Sequence, residues 1–242
     1  MQTIICMKWG KRYAAEYVNR LYGAVLRNTK RPTRLVCFTD DANGIDENVQ
    51  IEPIPDINLP PDIINTPWRK LTMWKYPLAD LSGDVLFLDL DLIITGNLDA
   101  MFDYEAGQYC VIENWTQLGQ NNGNTSAFRF PAGKYTHIFD RIQKDPQSVL
   151  SKYRIEQLYI SRTIEDMVFW PKAWCVSFKH SLLPKWPLNF FIAPKLPKDT
   201  RIVAFTGKPD QDEAAHGDWP VKHWIKKTYK HVRPTPWIEK HW

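Results

Sequence analysis

Between Asp84 and Ile94 the chain places four consecutive apolar residues, Val85-Leu86-Phe87-Leu88, before two aspartates, Asp89 and Asp91, and then three more apolar residues, Leu92-Ile93-Ile94. Four apolar residues in a row leave no polar face, so a strand made of them must be covered on both sides. The middle of a mainly parallel sheet with helices on both faces meets that condition. An ionised carboxylate is expensive to bury unless it is paired or bound to a metal. At the carboxyl end of a strand in an open α/β sheet it instead faces the crevice where ligands bind. Residues i and i+2 of a strand point to the same side, so Asp89 and Asp91 can converge on one hard cation such as Mn2+ or Mg2+. Asp-x-Asp alone is a short motif, and two aspartates capping a turn are its plain alternative. Gly96-Asn97 follows at once and predicts a sharp chain reversal that opens a pocket beside the pair.

The flanking sequence predicts the remaining α/β elements. Thr3–Met7 reads as a first strand, and Tyr13, Tyr17, Leu21 and Val25, spaced by four, predict a helix over 12–26. Arg34–Phe38 is a second strand closed by Thr39-Asp40-Asp41 and the turn Asn43-Gly44, and Val49–Ile54 a third. A Pro-rich loop, 53–67, leads to helical spacing over Trp68–Tyr76 and the strand Asp84–Leu90. Later strands are expected at Cys110–Glu113, Ser126–Phe130, Lys172–Phe178 and Arg201–Thr206, with a polar loop over 115–124 and helices at Thr136–Gln143 and Glu156–Thr163. Strands alternating with helices give an α/β fold with a mixed, mainly parallel central sheet flanked by helices. A length of 242 residues allows one large domain or two small ones, and a single domain is the simplest account.

No apolar run approaches the roughly 18 residues that span a bilayer, and Met1–Met7 is too short for a signal peptide. Cys6, Cys37, Cys110 and Cys175 form no CxxC pair, and three lie in apolar stretches, which predicts free thiols and a reducing, cytoplasmic compartment. The net charge of +4 is concentrated in the tail 218–242, where six Lys/Arg face two acids among Trp219, Trp224, Tyr229, Trp237 and Trp242; the remaining chain balances to zero. Such a tail suits peripheral contact with the inner face of an anionic membrane, or a solvated terminal helix packed by its aromatics. Nucleic-acid binding is disfavoured, because the charge is confined to one terminus and no recognised module is present.

The segment Phe87-Leu88-Asp89-Leu90-Asp91-Leu92-Ile93-Ile94-Thr95-Gly96-Asn97-Leu98-Asp99 resembles the metal-binding signature of GT-A fold glycosyltransferases, most closely the glycogenin-like and lipopolysaccharide galactosyltransferase-like enzymes. Other pieces resemble the family in the same order, and together they cover most of residues 3–210. Lys8, Trp9 and Tyr13 fall where the first strand meets the nucleotide, Thr39 and Asp40 where the second strand meets the base, and Lys70 where a basic residue approaches the donor. Asn124 and Ser126 resemble the segment lining the sugar site, Glu156-Gln157 the acidic-Gln pair beneath the donor sugar, and Gly207-Lys208-Pro209 the phosphate-contacting loop.

The resemblance implies a Rossmann-like nucleotide- and metal-binding half, 1–99, a sugar and acceptor half, 100–217, and the tail. It further implies a Mn2+- or Mg2+-dependent hexosyltransferase of the retaining type, with a UDP-sugar donor and a glycan or lipid-linked acceptor, in cell-surface polysaccharide or lipopolysaccharide synthesis. Asp91, Glu156 and Gln157 would be its catalytic residues, and Asp89 and Asp91 its metal ligands. One position departs from the pattern. Thr206 stands where the galactosyltransferase type has a histidine as third metal ligand, and a hydroxyl is a poorer ligand for Mn2+. Water, His180 or His216 would then complete the sphere. The same departure motivates the other reading, a catalytically weak or inactive nucleotide-sugar-binding protein of the same fold.

Overall fold

The apolar run becomes the strand β4, Asp84–Leu88, near the centre of a seven-stranded sheet in the computed structural model, which describes residues 1–242. Its companions are β1 (Gln2–Lys8), β2 (Thr33–Thr39), β3 (Gln50–Pro53), β6 (Cys110–Glu113), β7 (Gly123–Pro131) and β8 (Val168–Phe169), in the order β3-β2-β1-β4-β7-β6-β8. Pairing is parallel from β3 through β4 and between β6 and β8, while β7 runs antiparallel to both β4 and β6. The mainly parallel α/β sheet expected from the sequence is therefore present.

Alternation along the strands feeds two cores. Ile5, Val36, Val85, Phe87 and Phe128 face a layer made by the 3-10 helix Pro67–Trp74, α3 (His137–Lys144), α4 (Pro146–Leu150) and α5 (Glu156–Thr163). Ile4, Cys6, Leu35, Leu86 and Leu88 face α1 (Ala15–Asn28) and α2 (Asp99–Asp103). Each fully buried Leu, Val or Phe contributes about 1.5–3 kcal/mol, so β4, apolar on both faces, anchors both layers. All four cysteines are buried and free.

The structure corrects three local expectations. The first helix starts at Ala15, because residues 9–14 form a loop turned by Gly10 at φ +62°; Tyr13 is thereby released from the helix. The strand expected to run to Leu90 stops at Leu88. Leu92–Ile94 is a separate strand, β5, in a second sheet of order β5-β10-β9, with β9 at Cys175–Ser177 and β10 at Ile202–Ala204. Gly96 does not reverse the chain beside the aspartates; it lets the backbone pass close to Thr200, whose carbonyl oxygen would lie 3.0 Å from an added Cβ. The second sheet has its own apolar core, into which α6 (Gln211–His216) and α7 (Trp237–His241) bring Ala214, Ala215 and Ile238. No helix is long and apolar enough to cross a membrane.

Arg129, inside β7, is fully buried. Its guanidinium donates to the carbonyls of Met101 (2.5 Å), Phe102 (3.0 Å), Tyr104 (2.6 Å) and Glu105, and lies 3.5 Å from the Asp84 carboxylate. These are the orphan carbonyls at the end of α2, where the helix dipole favours a cation. Arg129→Met leaves them and Asp84 without their partner and is expected to destabilise the chain by about 3–5 kcal/mol, read by urea unfolding. A loss below about 1 kcal/mol would show that water replaces the arginine.

Candidate functional site

The strand order reverses between β1 and β4: from β1 the chain builds outward through β2 and β3, then returns to place β4 on the other side of β1. In open α/β sheets such a switch leaves a crevice beyond the carboxyl ends of the two strands. Here β1 delivers the loop Trp9–Tyr13 to that crevice and β4 delivers Asp89 and Asp91. They enclose a cavity of about 430 Å3, lined also by Lys70, Met7, Asn65, Pro67 and Leu90.

Residues 89–91 are the span where the chain passes from one sheet to the other. The Asp89 N–H donates to the Ser126 carbonyl in line with β7 (2.8 Å), and the Asp91 carbonyl accepts from the Phe205 N–H in line with β10 (2.9 Å). Each aspartate is thus tied by its backbone to a different sheet.

Lys70 is 7% exposed, and its ammonium lies 2.6 and 2.7 Å from the two Asp89 carboxylate oxygens. Burial opposes the lysine's charge, but the charges of Asp89 and Glu156 outweigh it and raise its pKa. Burial raises the Asp89 pKa above the ordinary carboxylate value, with Lys70 and a hydrogen bond from Ser126 holding it back. At 2.6 Å the pair is ionic. Asp91 receives only the neutral hydroxyl of Tyr13, at 3.0 Å. Burial, and then the neighbouring Asp89 charge, push its pKa up to about 7. Tyr13 is raised as well, first by burial and then by Asp91.

The sequence candidates divide in the structure. Trp9, Tyr13, Lys70, Asp89 and Asp91 line the cavity together. Glu156 is buried beside them, accepting from Thr125 Oγ1 at 3.1 Å and adding its charge to the field at Lys70. The Ser126 N–H donates to Asn124 Oδ1 (3.1 Å) within β7, where the register against β6 shifts. Lys8 is buried, with its ammonium on the Asp41 carbonyl at 2.8 Å, so it braces the loop after β2. Thr39 is in the same turn, its hydroxyl donating to Asp41 O (2.9 Å). Asp40 accepts from the Gly10 N–H (3.1 Å) and faces Arg69 at 3.8 Å, tying the two loops together.

Gln157 lines a separate polar cavity of about 540 Å3 with Asn122 and Arg162. Gly207 has φ +77°, and Lys208 beyond it turns onto Asp210 (2.7 Å) and Glu213 at the start of α6, whose hydrogen bonds push its pKa up to about 12. Lys11, Arg12 and Asn65 line the cavity and were not singled out from sequence. Arg12 favours the ionised form of both aspartates. The signal was available: Lys8-Trp9-Gly10-Lys11-Arg12 is a basic, Gly-containing loop following the first strand.

The donor chemistry suits a hard divalent cation brought with its own oxygen ligands. Asp91 is a half-buried carboxylate with no cationic hydrogen-bond partner, and Thr206, adjacent to Phe205, has a buried hydroxyl oxygen with no partner at all. No group of three or more His, Cys, Asp or Glu gathers there. His216 bonds Asp212 O instead (2.8 Å). Mg2+ and Mn2+ accept one or two carboxylates when substrate phosphates and water supply the rest.

No sequence-family model and no curated protein matches the chain. Solved structures do. The galactosyltransferase LgtC, determined with donor and acceptor sugar analogs, superposes with a TM-score of 0.60 over 87% of this chain and 89% of its own, at 12% identity. The glycosyltransferase GlyE of Streptococcus pneumoniae TIGR4 gives 0.57 at 13% identity, and the bifunctional glycosyltransferase WbbM 0.57 at 10% identity, each over 87% of this chain. The matched regions are 56% of the GlyE chain and 46% of the WbbM chain. The fold of this chain is that of GT-A-type glycosyltransferases.

A carboxyl group whose pKa is higher folded than unfolded binds its proton more tightly in the folded chain, so its contribution to stability is present below the unfolded value and lost as pH rises through the folded one. For Asp91 that window runs from the ordinary 3.8 to about 7. With chelator present, unfolding free energy is therefore expected to fall between about pH 4 and pH 7. Asp91→Asn should flatten this dependence and stabilise the chain at the upper end by roughly 1–3 kcal/mol. A destabilised Asp91→Asn at that pH would show the ionised carboxylate to be fully compensated in the metal-free chain.

Proposed function

We propose that the chain is a metal-dependent glycosyltransferase that moves a sugar from a nucleoside-diphosphate sugar, UDP-based by resemblance, to a hydroxyl of a glycan or lipid-linked acceptor. The observation that carries this reading is the meeting of Asp89, Asp91 and Lys70 with the Trp9–Tyr13 loop in one cavity at the strand-order switch. LgtC, whose structure holds donor and acceptor sugar analogs, has the same fold over 89% of its length and supports the assignment.

Asp89 and Asp91 would hold Mn2+ or Mg2+, which when bound supplies Lewis-acid neutralisation of the diphosphate leaving group. Lys70 fixes the Asp89 carboxylate and Tyr13 that of Asp91, so both are oriented before the donor arrives. Trp9 and Tyr13 offer aromatic faces to the base, and Lys11 and Arg12 supply positive charge toward the phosphates. Lys208 joins them by leaving Asp210 and Glu213, a movement that Gly207 permits. Glu156 would face the sugar side from beneath and stabilise positive charge at the anomeric carbon, with Asn124 and Ser126 for the sugar hydroxyls; Gln157, in its separate cavity, would take no part there. Retention of configuration and a role in cell-surface polysaccharide synthesis follow the same resemblance.

The second reading, a nucleotide-sugar-binding protein with little or no turnover, is favoured by Thr206, whose unpartnered hydroxyl replaces a stronger ligand. The two separate in one set of assays. Transfer or donor hydrolysis is expected with Mn2+, lost with EDTA, and reduced on the order of 10^2-fold or more in Asp91→Ala. UDP with Mn2+ at a hundred times its Kd should stabilise the wild type by about 2.7 kcal/mol. Stabilisation without turnover of any common nucleotide sugar would favour the binding protein, and turnover that survives both EDTA and Asp91→Ala would remove the metal assignment.

A further inference from the structure

The polar cavity of about 540 Å3 that holds Gln157 begins one residue from Glu156. Its walls are the loop 117–122, between β6 and β7, and the start of α5. The two walls are braced against each other. Arg162 donates to the carbonyls of Gln120 (3.1 Å) and Asn121 (2.9 Å), so α5 carries the loop. The Asn114 N–H donates to Asn122 O at 2.9 Å, and Asn122 Nδ2 donates to Gln117 Oε1 at 2.8 Å. The cavity is thus formed before any ligand enters it.

Its lining is one-sided in charge. Four amides, those of Gln117, Gln120, Asn122 and Gln157, share it with Arg154 and Arg162, and no carboxylate lines it. Arg154 is exposed, with no acid paired to it. The helix α5 opens here with no side chain capping its first N–H groups, and Glu156 at its first position is turned onto Thr125. Free N–H groups at the positive end of a helix dipole favour an anion. Asn122 adds an independent sign of a ligand. It is 5% exposed, and its Oδ1 has no hydrogen-bond partner. A buried acceptor left without a donor costs about 1–3 kcal/mol, and a ligand hydroxyl would satisfy it. Ile155 and Leu158 complete the lining with an apolar face.

We infer that this cavity binds an acidic sugar unit of the acceptor glycan, one bearing a carboxylate or a phosphate. Guanidinium groups pair with either oxyanion. The amides and Asn122 Oδ1 take ring hydroxyls, and the two aliphatic side chains lie against the C–H face of the ring. The other occupants fit less of the lining. A neutral sugar leaves two arginines without an anion, and a bare anion leaves the amides and the buried oxygen without hydroxyls. A nucleotide finds no aromatic face, since no aromatic residue lines the cavity. The route to the aspartates is short: Glu156, next to Gln157, accepts from Thr125 Oγ1 at 3.1 Å, and Lys70 Nζ lies 3.5 Å from Thr125 O. The acceptor role rests on the sugar-transfer reading; the binding of an acidic sugar does not.

Titration calorimetry of the full chain, in EDTA and without nucleotide sugar, tests the binding apart from the chemistry. Methyl glucuronide or glucose-6-phosphate is expected to bind at least about ten times more tightly than methyl glucoside, and the tighter of the two acids identifies the anionic group. Arg154→Gln should lower the affinity for that acid about tenfold or more. Lys75→Ala removes one positive charge from an exposed position outside the cavity and should leave it unchanged. Equal binding of the neutral glucoside, no binding of either acid, or full affinity in Arg154→Gln overturns the inference. So does inorganic phosphate bound as tightly as the sugar phosphate, which would make the cavity a simple anion site. None of these results bears on whether Asp89 and Asp91 hold a metal, and loss of turnover in EDTA does not bear on this binding.

Discussion

The three residues Asp89-Leu90-Asp91 join two sheets, and the position of everything around the cavity follows from how they are held. One backbone hydrogen bond commits Asp89 to the large sheet through Ser126, and another commits Asp91 to the small sheet through Phe205. Leu90 between them is buried in the core on the α1 side. The two carboxylates therefore have positions fixed by separate bodies of structure, and neither can drift without breaking a strand ladder. Burying two acids this close is unfavourable unless charge is supplied. Lys70 supplies it for Asp89, and the 3-10 helix that presents Lys70 is itself packed by Trp68, Leu71 and Trp74 in the same core as Phe87.

That arrangement leaves the two acids unequal. Asp89 has a buried cation and is charged; Asp91 has a phenol and sits near neutral titration. Sites that bind ions are commonly less stable than their surroundings allow, because the charges that favour the ligand repel each other without it. The same logic applies to Thr206, whose buried hydroxyl is unpaired within a fold that otherwise satisfies most of its polar groups.

Much of this was legible in the sequence and some of it was not. Cys110–Glu113 and Glu156–Thr163 form their elements at the expected bounds, because short apolar runs and helical spacing are local signals. The meeting of Tyr13, Lys70 and the aspartate pair was anticipated from resemblance and is what the fold delivers. The break at Leu88 was not visible, since residues 85–94 read as one interrupted apolar run and only tertiary pairing assigns them to two sheets. Arg129 was read as part of an ordinary strand; nothing in its neighbours announces that it will saturate carbonyls on α2. The helix α6 was missed although Asp210 and Glu213 form a capping box at its start, and with it the acidic pair that holds Lys208. Lys8 was misplaced because a lysine at a strand end reads the same whether it faces a ligand or a carbonyl.

The hydrogen bond from Phe205 to Asp91 makes β10 a tether of known length. Lys208 is three residues further along the same strand's exit, so its Cα lies within roughly 10 Å of the Phe205 Cα whatever the loop does. The lysine's own side chain adds to that radius. Gly207, at φ +77°, is the one residue of that span without a side chain, and Lys208 turns back onto Asp210 and Glu213 within this radius while Asp91 stays where β5 and β10 hold it.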